Sequence, residues 1–187
     1  MSDVVKAVIT LFVITFISAV CLGFVHSITT EPIKLQKEKF RTEAMQELLP
    51  SGSSFKEEIS IPKDAEIQNV FTAYTDDGSV AGYIIGADAQ GYNGIIRVFV
   101  GINANASVHG IKVVEHNETP GLGANITNAK FTDQYKGLRN EISVTKSIPN
   151  NNEVQAVTSS TISSNAVTLA VNNALKFFVA YIGGETY

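Results

Sequence analysis

The chain has 187 residues, 44% of them hydrophobic, a formal net charge of -4 and one cysteine. Once an N-terminal apolar segment and a short stalk are set aside, the remainder suits one domain of common size, roughly 100 to 150 residues, so two catalytic domains do not fit. Acidic and basic residues are interspersed with no Lys or Arg run, which excludes the basic footprint of a nucleic-acid-binding protein, and the single Cys21 excludes an intrachain disulfide, a CxxC pair and any thiolate-built iron–sulfur or zinc centre, so redox chemistry here needs a bound organic cofactor.

Residues 7–25, AVITLFVITFISAVCLGFV, carry no charge and are about as long as a helix must be to cross a hydrocarbon core roughly 30 Å thick. A cleaved signal peptide is the competing reading, but the apolar run exceeds the usual signal core and no small-x-small site clearly follows it. Val20 before Cys21 does not suit a lipoprotein signal, which leaves Cys21 as a packing residue in the bilayer. Lys6 favours a cytoplasmic amino terminus, whereas Lys34, Lys37, Lys39 and Arg41 crowd the other flank, so charge alone leaves the orientation open.

From Glu31 to Leu49 the apolar residues Ile33, Leu35, Phe40, Ala44, Met45, Leu48 and Leu49 fall at helical spacing, which predicts a stalk or packing helix ended by Pro50, Ser51 and Gly52. Residues 67–75, 79–87, 95–102 and 110–116 are rich in branched and aromatic types and are separated by turn signals at Asp77-Gly78, Gly91–Gly94 and Asn103–Asn105, the pattern of an antiparallel sheet. Residues 125–135 read as a short amphipathic helix, 142–146 and 154–157 as short strands, and 163–182 as a final helix. Its apolar stripe comprises Ala166, Val167, Leu169, Ala170, Val171, Ala174, Leu175 and Phe178, with Asn165, Asn172, Asn173 and Lys176 elsewhere. Helices gathered around an antiparallel sheet make an α+β domain. The expected organisation is an anchor at 1–29, a stalk helix at 30–52 and a binding domain at 53–187.

Two places carry chemistry. Thr158, Ser159, Ser160, Thr161, Ser163 and Ser164 stand at the mouth of the last helix, where hydroxyls either cap the first turn or, with the helix dipole and free amides, help hold a phosphate. In HNETPGLG, residues 116–123, Pro120 sets a turn and Gly121 and Gly123 let backbone approach a flat ligand or adopt positive φ, with Glu118 and Thr119 as polar groups. Tyr92 lies in a third glycine turn, GYNG at 91–94. His116 reads as a strand-end residue, since no second His or Cys stands at metal-ligand spacing.

The single spanning segment, GYNG, HNETPGLG and NEVQAVTSSTISS at 152–164, in that order, resemble the FMN-binding domain found in the G subunit of the Rnf complex, the ion-translocating ferredoxin:NAD oxidoreductase. They resemble equally its relative, the C subunit of the sodium-translocating NADH:quinone reductase; the short chain favours the Rnf protein. The resemblance implies an electron carrier, not catalytic alone, with FMN held through a phosphoester on Thr161. It implies phosphate contacts from Thr158, Ser159 and Ser160, and a turn beside the flavin formed by Glu118, Thr119, Gly121, Leu122 and Gly123; Tyr92 and Lys146 also match the pattern. Ser159 and Ser160 replace the family's glycine and alanine, and Gln155 its usual aspartate. Implied partners are the complex's other membrane subunits, the lipid bilayer and a separate flavin transferase that takes FMN from FAD, with the domain on the extracytoplasmic face of the cell membrane. Two other readings remain at this point: a flavin-binding module of a different extracytoplasmic reductase, and a non-redox anchored binding domain whose hydroxyls only cap the helix.

Overall fold

The computed structural model describes residues 2–58 and 66–183; residues 59–65 and 184–187, within the expected binding domain, lie outside them. The chain forms two compact units, Met1–Arg41 and Thr42–Tyr187.

Helix α1 runs Asp3–Leu48. Its most apolar 18-residue window has a mean hydropathy of 2.7 and none of it is buried within the protein, so by length and composition this is a helix able to cross a bilayer. The polar side chains in that stretch are satisfied internally: Thr10, Thr15 and Ser18 donate to the carbonyls of Lys6, Leu11 and Ile14 at 2.9, 3.0 and 2.9 Å, as hydrocarbon surroundings require. The sequence predicts a second helix beginning at Glu31; the structure instead carries one helix through Pro32. Proline removes one amide and crowds the preceding turn, and there the hydroxyls of Thr29 and Thr30 add bonds to the carbonyls of Val25 and His26 at 2.8 and 2.6 Å.

In the second unit, β1 (Ser54–Glu58), β2 (Ile67–Tyr74), β3 (Val80–Gln90), β4 (Ile95–Ile102) and β5 (Val108–Glu115) form an antiparallel sheet in sequence order. Four of the five follow from the turn signals. Strand β1 does not, because SFKEE is a largely exposed edge with no apolar alternation. Apolar residues on the central strands run consecutively because both faces are covered. Phe71, Ala73, Ile84 and Phe99 pack against Ala44, Met45, Leu48 and Leu49 at the end of α1 and just beyond it, while Ile85, Val98, Val100 and Ile102 face the core shared with the last helix.

Between β5 and that helix the chain is irregular. The helix expected at 125–135 resolves into a 3-10 turn (Gly123–Thr127), a single α turn, α2 (Ala129–Thr132), and a second 3-10 turn (Asp133–Tyr135). Strands β6 (Ser143–Thr145) and β7 (Glu153–Gln155) pair in parallel. Helix α3 (Thr161–Phe177) starts two residues before its sequence boundary and passes into a π turn at Phe178–Ile182. Its buried face also departs from the expected stripe. Leu169 is exposed, and Asn172 is buried, its amide bridging the backbone of Ile142 at 2.9 Å to N and 2.8 Å to O. A buried amide is tolerated where both ends are paired, and here the pairing fixes the segment before β6 on α3. Tyr135 is likewise buried, its hydroxyl 2.6 Å from Thr168 Oγ1, and burial raises its phenol above the ordinary range.

Candidate functional site

Three chain segments converge at the amino end of α3. In the β3–β4 turn, Gly91 N donates to Gly94 O at 2.8 Å, and Gly94 has φ +143°. After β5, Gly121 takes φ +77°, the left-handed region that glycine enters without penalty, and Leu122 N and Ala124 N both donate to Thr119 O at 3.2 Å. The third segment is the 156–160 loop with the first turn of α3.

Glu118 joins all three. It is 5% exposed; Oε1 accepts from Asn93 N at 2.9 Å and Oε2 from Ser163 Oγ at 2.6 Å, while its own amide donates to His116 Nδ1 at 3.2 Å. A buried carboxylate is tolerable only when its oxygens are bonded, and these are. Glycine on both sides makes the room. A Cβ at Gly91 would lie 2.6 Å from Glu118 Oε1, and one at Gly123 would overlap Glu118 Oε2 and stand 2.9 Å from Glu118 Cβ. His116 is thus an acceptor for the turn, and no cluster of three His, Cys, Asp or Glu suited to a metal occurs among the described residues.

The loop ahead of α3 is held from both ends. The Gln134 side chain pairs with Gln155, Oε1 accepting from N at 2.6 Å and Nε2 donating to O at 3.3 Å. Ser164 Oγ accepts from Val157 N at 3.0 Å and donates to Ser160 O at 2.9 Å. This forces Ser159 to φ +62°. A left-handed L-residue costs about 1 to 2 kcal/mol, and the extra unfolded-state freedom of glycine returns roughly 0.5 to 1 of that. Ser159→Gly should therefore stabilise the protein by about 0.5 to 1 kcal/mol, measured as a higher denaturation midpoint; a lower midpoint would mean that the Ser159 side chain contributes contacts outweighing the strain.

The hydroxyls do not cap the helix. Ser160 is the N-cap residue and makes no side-chain cap bond, and its buried Oγ has no partner. The amides of Thr161, Ile162 and Ser163 have no acceptor among the described residues. The Thr161 hydroxyl, half-buried, makes no hydrogen bond there either. These free donors, with the positive end of a 17-residue helix, suit an anion.

They open into a cleft of about 510 Å³. Eight residues singled out in the sequence line it: Tyr92, Glu118, Thr119, Leu122, Gly123, Ser159, Ser160 and Thr161. Three others are placed differently. Thr158 lines a separate cleft of about 400 Å³ with Gln155 and Gln134. Gly121 shapes the turn without lining the cleft, and Lys146 is exposed just past β6. Ile162 and Ser163 also line the cleft, and Asn93 braces it through Glu118. No sequence signal marked Asn93 as a partner of Glu118, and Ser163 stood only among the hydroxyls that either cap the helix or help hold a phosphate; their meeting depends on how the sheet brings the turns together. The cleft is polar at Ser160 and Thr161 and apolar at its rim, where Tyr92, Leu122 and Ile162 are 72%, 49% and 55% exposed. A phosphorylated molecule with a flat ring fits such a division.

Residues 91–176, which include the cleft, match the FMN-binding domain family. The chain is 31% identical, over 97% of both chains, to the G subunit of the ion-translocating oxidoreductase complex of Methanosarcina acetivorans. It is 33% identical to the G subunit of the Na+-translocating ferredoxin:NAD+ oxidoreductase complex of Acetobacterium woodii, over 94% of this chain and 91% of that one. Among solved structures, the C subunit of the Na+-translocating NADH-quinone reductase of Parabacteroides distasonis superposes with a TM-score of 0.51 at 26% identity, covering 59% of this chain and 60% of that one. NqrC of Shewanella oneidensis shares the fold, with a TM-score of 0.50 at 19% identity over 74% and 70% of the two chains.

Proposed function

The chain belongs to the family of G subunits of ion-translocating oxidoreductases, and from that premise we propose that it carries FMN esterified to Thr161, with the binding domain on the extracytoplasmic side of the cell membrane. As a family member with an FMN-binding domain it is an electron-transfer subunit of a membrane oxidoreductase complex and works with that complex's other subunits. The observation that carries the finer reading is the conjunction at the head of α3. Among the described residues the Thr161 hydroxyl has no partner and the first-turn amides no acceptor, and both border one cleft.

Bound FMN would supply transfer of one or two electrons, so the protein's share of the work is placement, exclusion of water and tuning of the cofactor. The helix amides and dipole of α3 would offset the phosphate charge. Tyr92, Leu122 and Ile162 would cover apolar ring surface at the rim. Glu118, locked between Asn93 and Ser163, keeps the two glycine turns in register with α3, and the Gln134–Gln155 pair fixes the loop that presents Thr161. Attachment is assigned to a separate flavin transferase acting on FAD: the Thr161 oxygen, losing its proton, bonds to the flavin-side phosphorus as the pyrophosphate P–O bond breaks and AMP leaves. A covalent link keeps the cofactor from being lost to the surrounding medium.

Protein made in a host containing the transferase should fluoresce under ultraviolet light after denaturing electrophoresis, and its intact mass should exceed the sequence mass by FMN less one water. A dark band from such a host would reject covalent attachment. For orientation, a reporter active only outside the cytoplasm, fused after Tyr187, should be active, and α1 should span the bilayer once; activity from a cytoplasm-only reporter at the same place would reverse the assignment.

A further inference from the structure

At the other end of α3 from Thr161 lies a cleft of about 520 Å³ that the flavin reading leaves unused. That volume is typical of small-molecule sites, about 300 to 1,000 Å³. Ala106, Leu175, Val179 and Ala180 give it an apolar wall, and Val179 is 61% exposed. Arg139, Lys176 and Glu141 supply its charges, and none of the three side chains makes an ion pair or hydrogen bond among the described residues. The segment that carries two of them is pinned from both sides. The Arg139 carbonyl accepts from Asn152 Nδ2 at 2.6 Å, and Asn172 ties the Ile142 backbone to α3. Two lining residues, Ala106 and Asn140, lie at φ +59°. Alanine enters that region only at a cost, and such strain persists where surrounding structure enforces it, often at binding sites.

We infer that this cleft is a second binding site, for an amphiphilic carboxylate whose acid group sits on Arg139 and Lys176 and whose alkyl or aryl body lies on Leu175, Val179 and Ala180. A planar guanidinium meets a carboxylate through two parallel hydrogen bonds, and Lys176 adds a second positive charge. Two cations against Glu141 leave the cleft a net positive charge of one, which matches a monoanion and leaves a phosphate dianion unbalanced. The Phe178 amide takes the carbonyls of Ala174 and Leu175, so those two offer no unbonded acceptor to repel the acid group.

Full-length protein in nanodiscs of zwitterionic phospholipid, dialysed against radiolabelled octanoate with empty nanodiscs as the blank, tests this. Octanoate should bind saturably, with a Kd below about 1 mM, and octanol should not displace it. Arg139→Gln and Lys176→Gln should each weaken binding about tenfold. Ala180→Trp, which fills the cleft and keeps both cations, should abolish it. All three positions are exposed, so these variants should melt with the wild type. No saturable binding above the blank overturns the proposal, as does equal displacement by octanol or binding that survives both glutamine substitutions and Ala180→Trp. Thr161→Val, which lacks the acceptor oxygen for flavin, should bind octanoate as the loaded wild type does, so the outcome is independent of flavin attachment. Binding confined to unloaded protein would put octanoate in the flavin cleft and also overturn the proposal.

Discussion

Thr161→Val should abolish the covalent flavin outright. Valine keeps the shape and β-branching of threonine and removes only the nucleophilic oxygen. Because the Thr161 hydroxyl makes no hydrogen bond among the described residues, the expected change in stability of the unloaded chain is within about 0.5 kcal/mol. Loss of fluorescence on a denaturing gel with an unchanged denaturation midpoint is therefore the anticipated pair of results. Ser160→Ala should leave attachment intact. In wild type, the tryptic peptide Ser147–Lys176 should carry FMN less one water, with fragment ions placing it on Thr161. Finding that mass on Ser160, or finding it undiminished in Thr161→Val, would show that another hydroxyl is the acceptor.

The second large effect concerns the carboxylate that unites the cleft. Glu118→Ala strands the Asn93 amide and the Ser163 hydroxyl, both now paired with it, at a cost of about 3 kcal/mol. Gly123→Ala should cost about 2 to 3 kcal/mol, because its methyl would overlap Glu118 Oε2 and crowd Glu118 Cβ at 2.9 Å and Ser163 Oγ at 3.0 Å. Gly123 does not lie at positive φ, so the penalty is one of space and not of backbone conformation. In the Glu118→Ala background the nearest obstacle is gone, and the Gly123→Ala penalty should shrink by about 1 kcal/mol in a double-mutant cycle. Strict additivity in urea unfolding would show that the glycine is needed for some reason other than the carboxylate. Flavin loading should fall in both single variants, since the first turn of α3 loses its tie to the two glycine turns.

Local chemistry in the chain was enough to determine much of this protein. An uncharged run of bilayer length, the turn residues between β2, β3, β4 and β5, and the hydroxyl cluster ahead of a long apolar helix each act over a few residues, so each is written in the order of the chain. The edge strand β1 left no such mark, because its exposed face asks for no apolar alternation. The stretch from Glu31 reads as a separate helix, yet α1 continues through Pro32, since proline cancels only one amide and crowds one turn.

Tertiary structure alone decided what depends on distant residues meeting. Nothing near Glu118 in the chain announces that its two oxygens will bind Asn93, 25 residues earlier, and Ser163, 45 residues later. Asn172 looks like a surface residue until the Ile142 backbone arrives to pair with it. Ser160 and Thr158 are both hydroxyl residues of one short loop, and only the path of that loop, turned by the left-handed Ser159, puts Ser160 and Thr161 on one cleft and Thr158 on another. The chain could specify which groups were available for binding an anion. Which of them would stay unpaired and share a cavity depended on long-range packing, because a polar group's role in a fold is set by whether a partner reaches it.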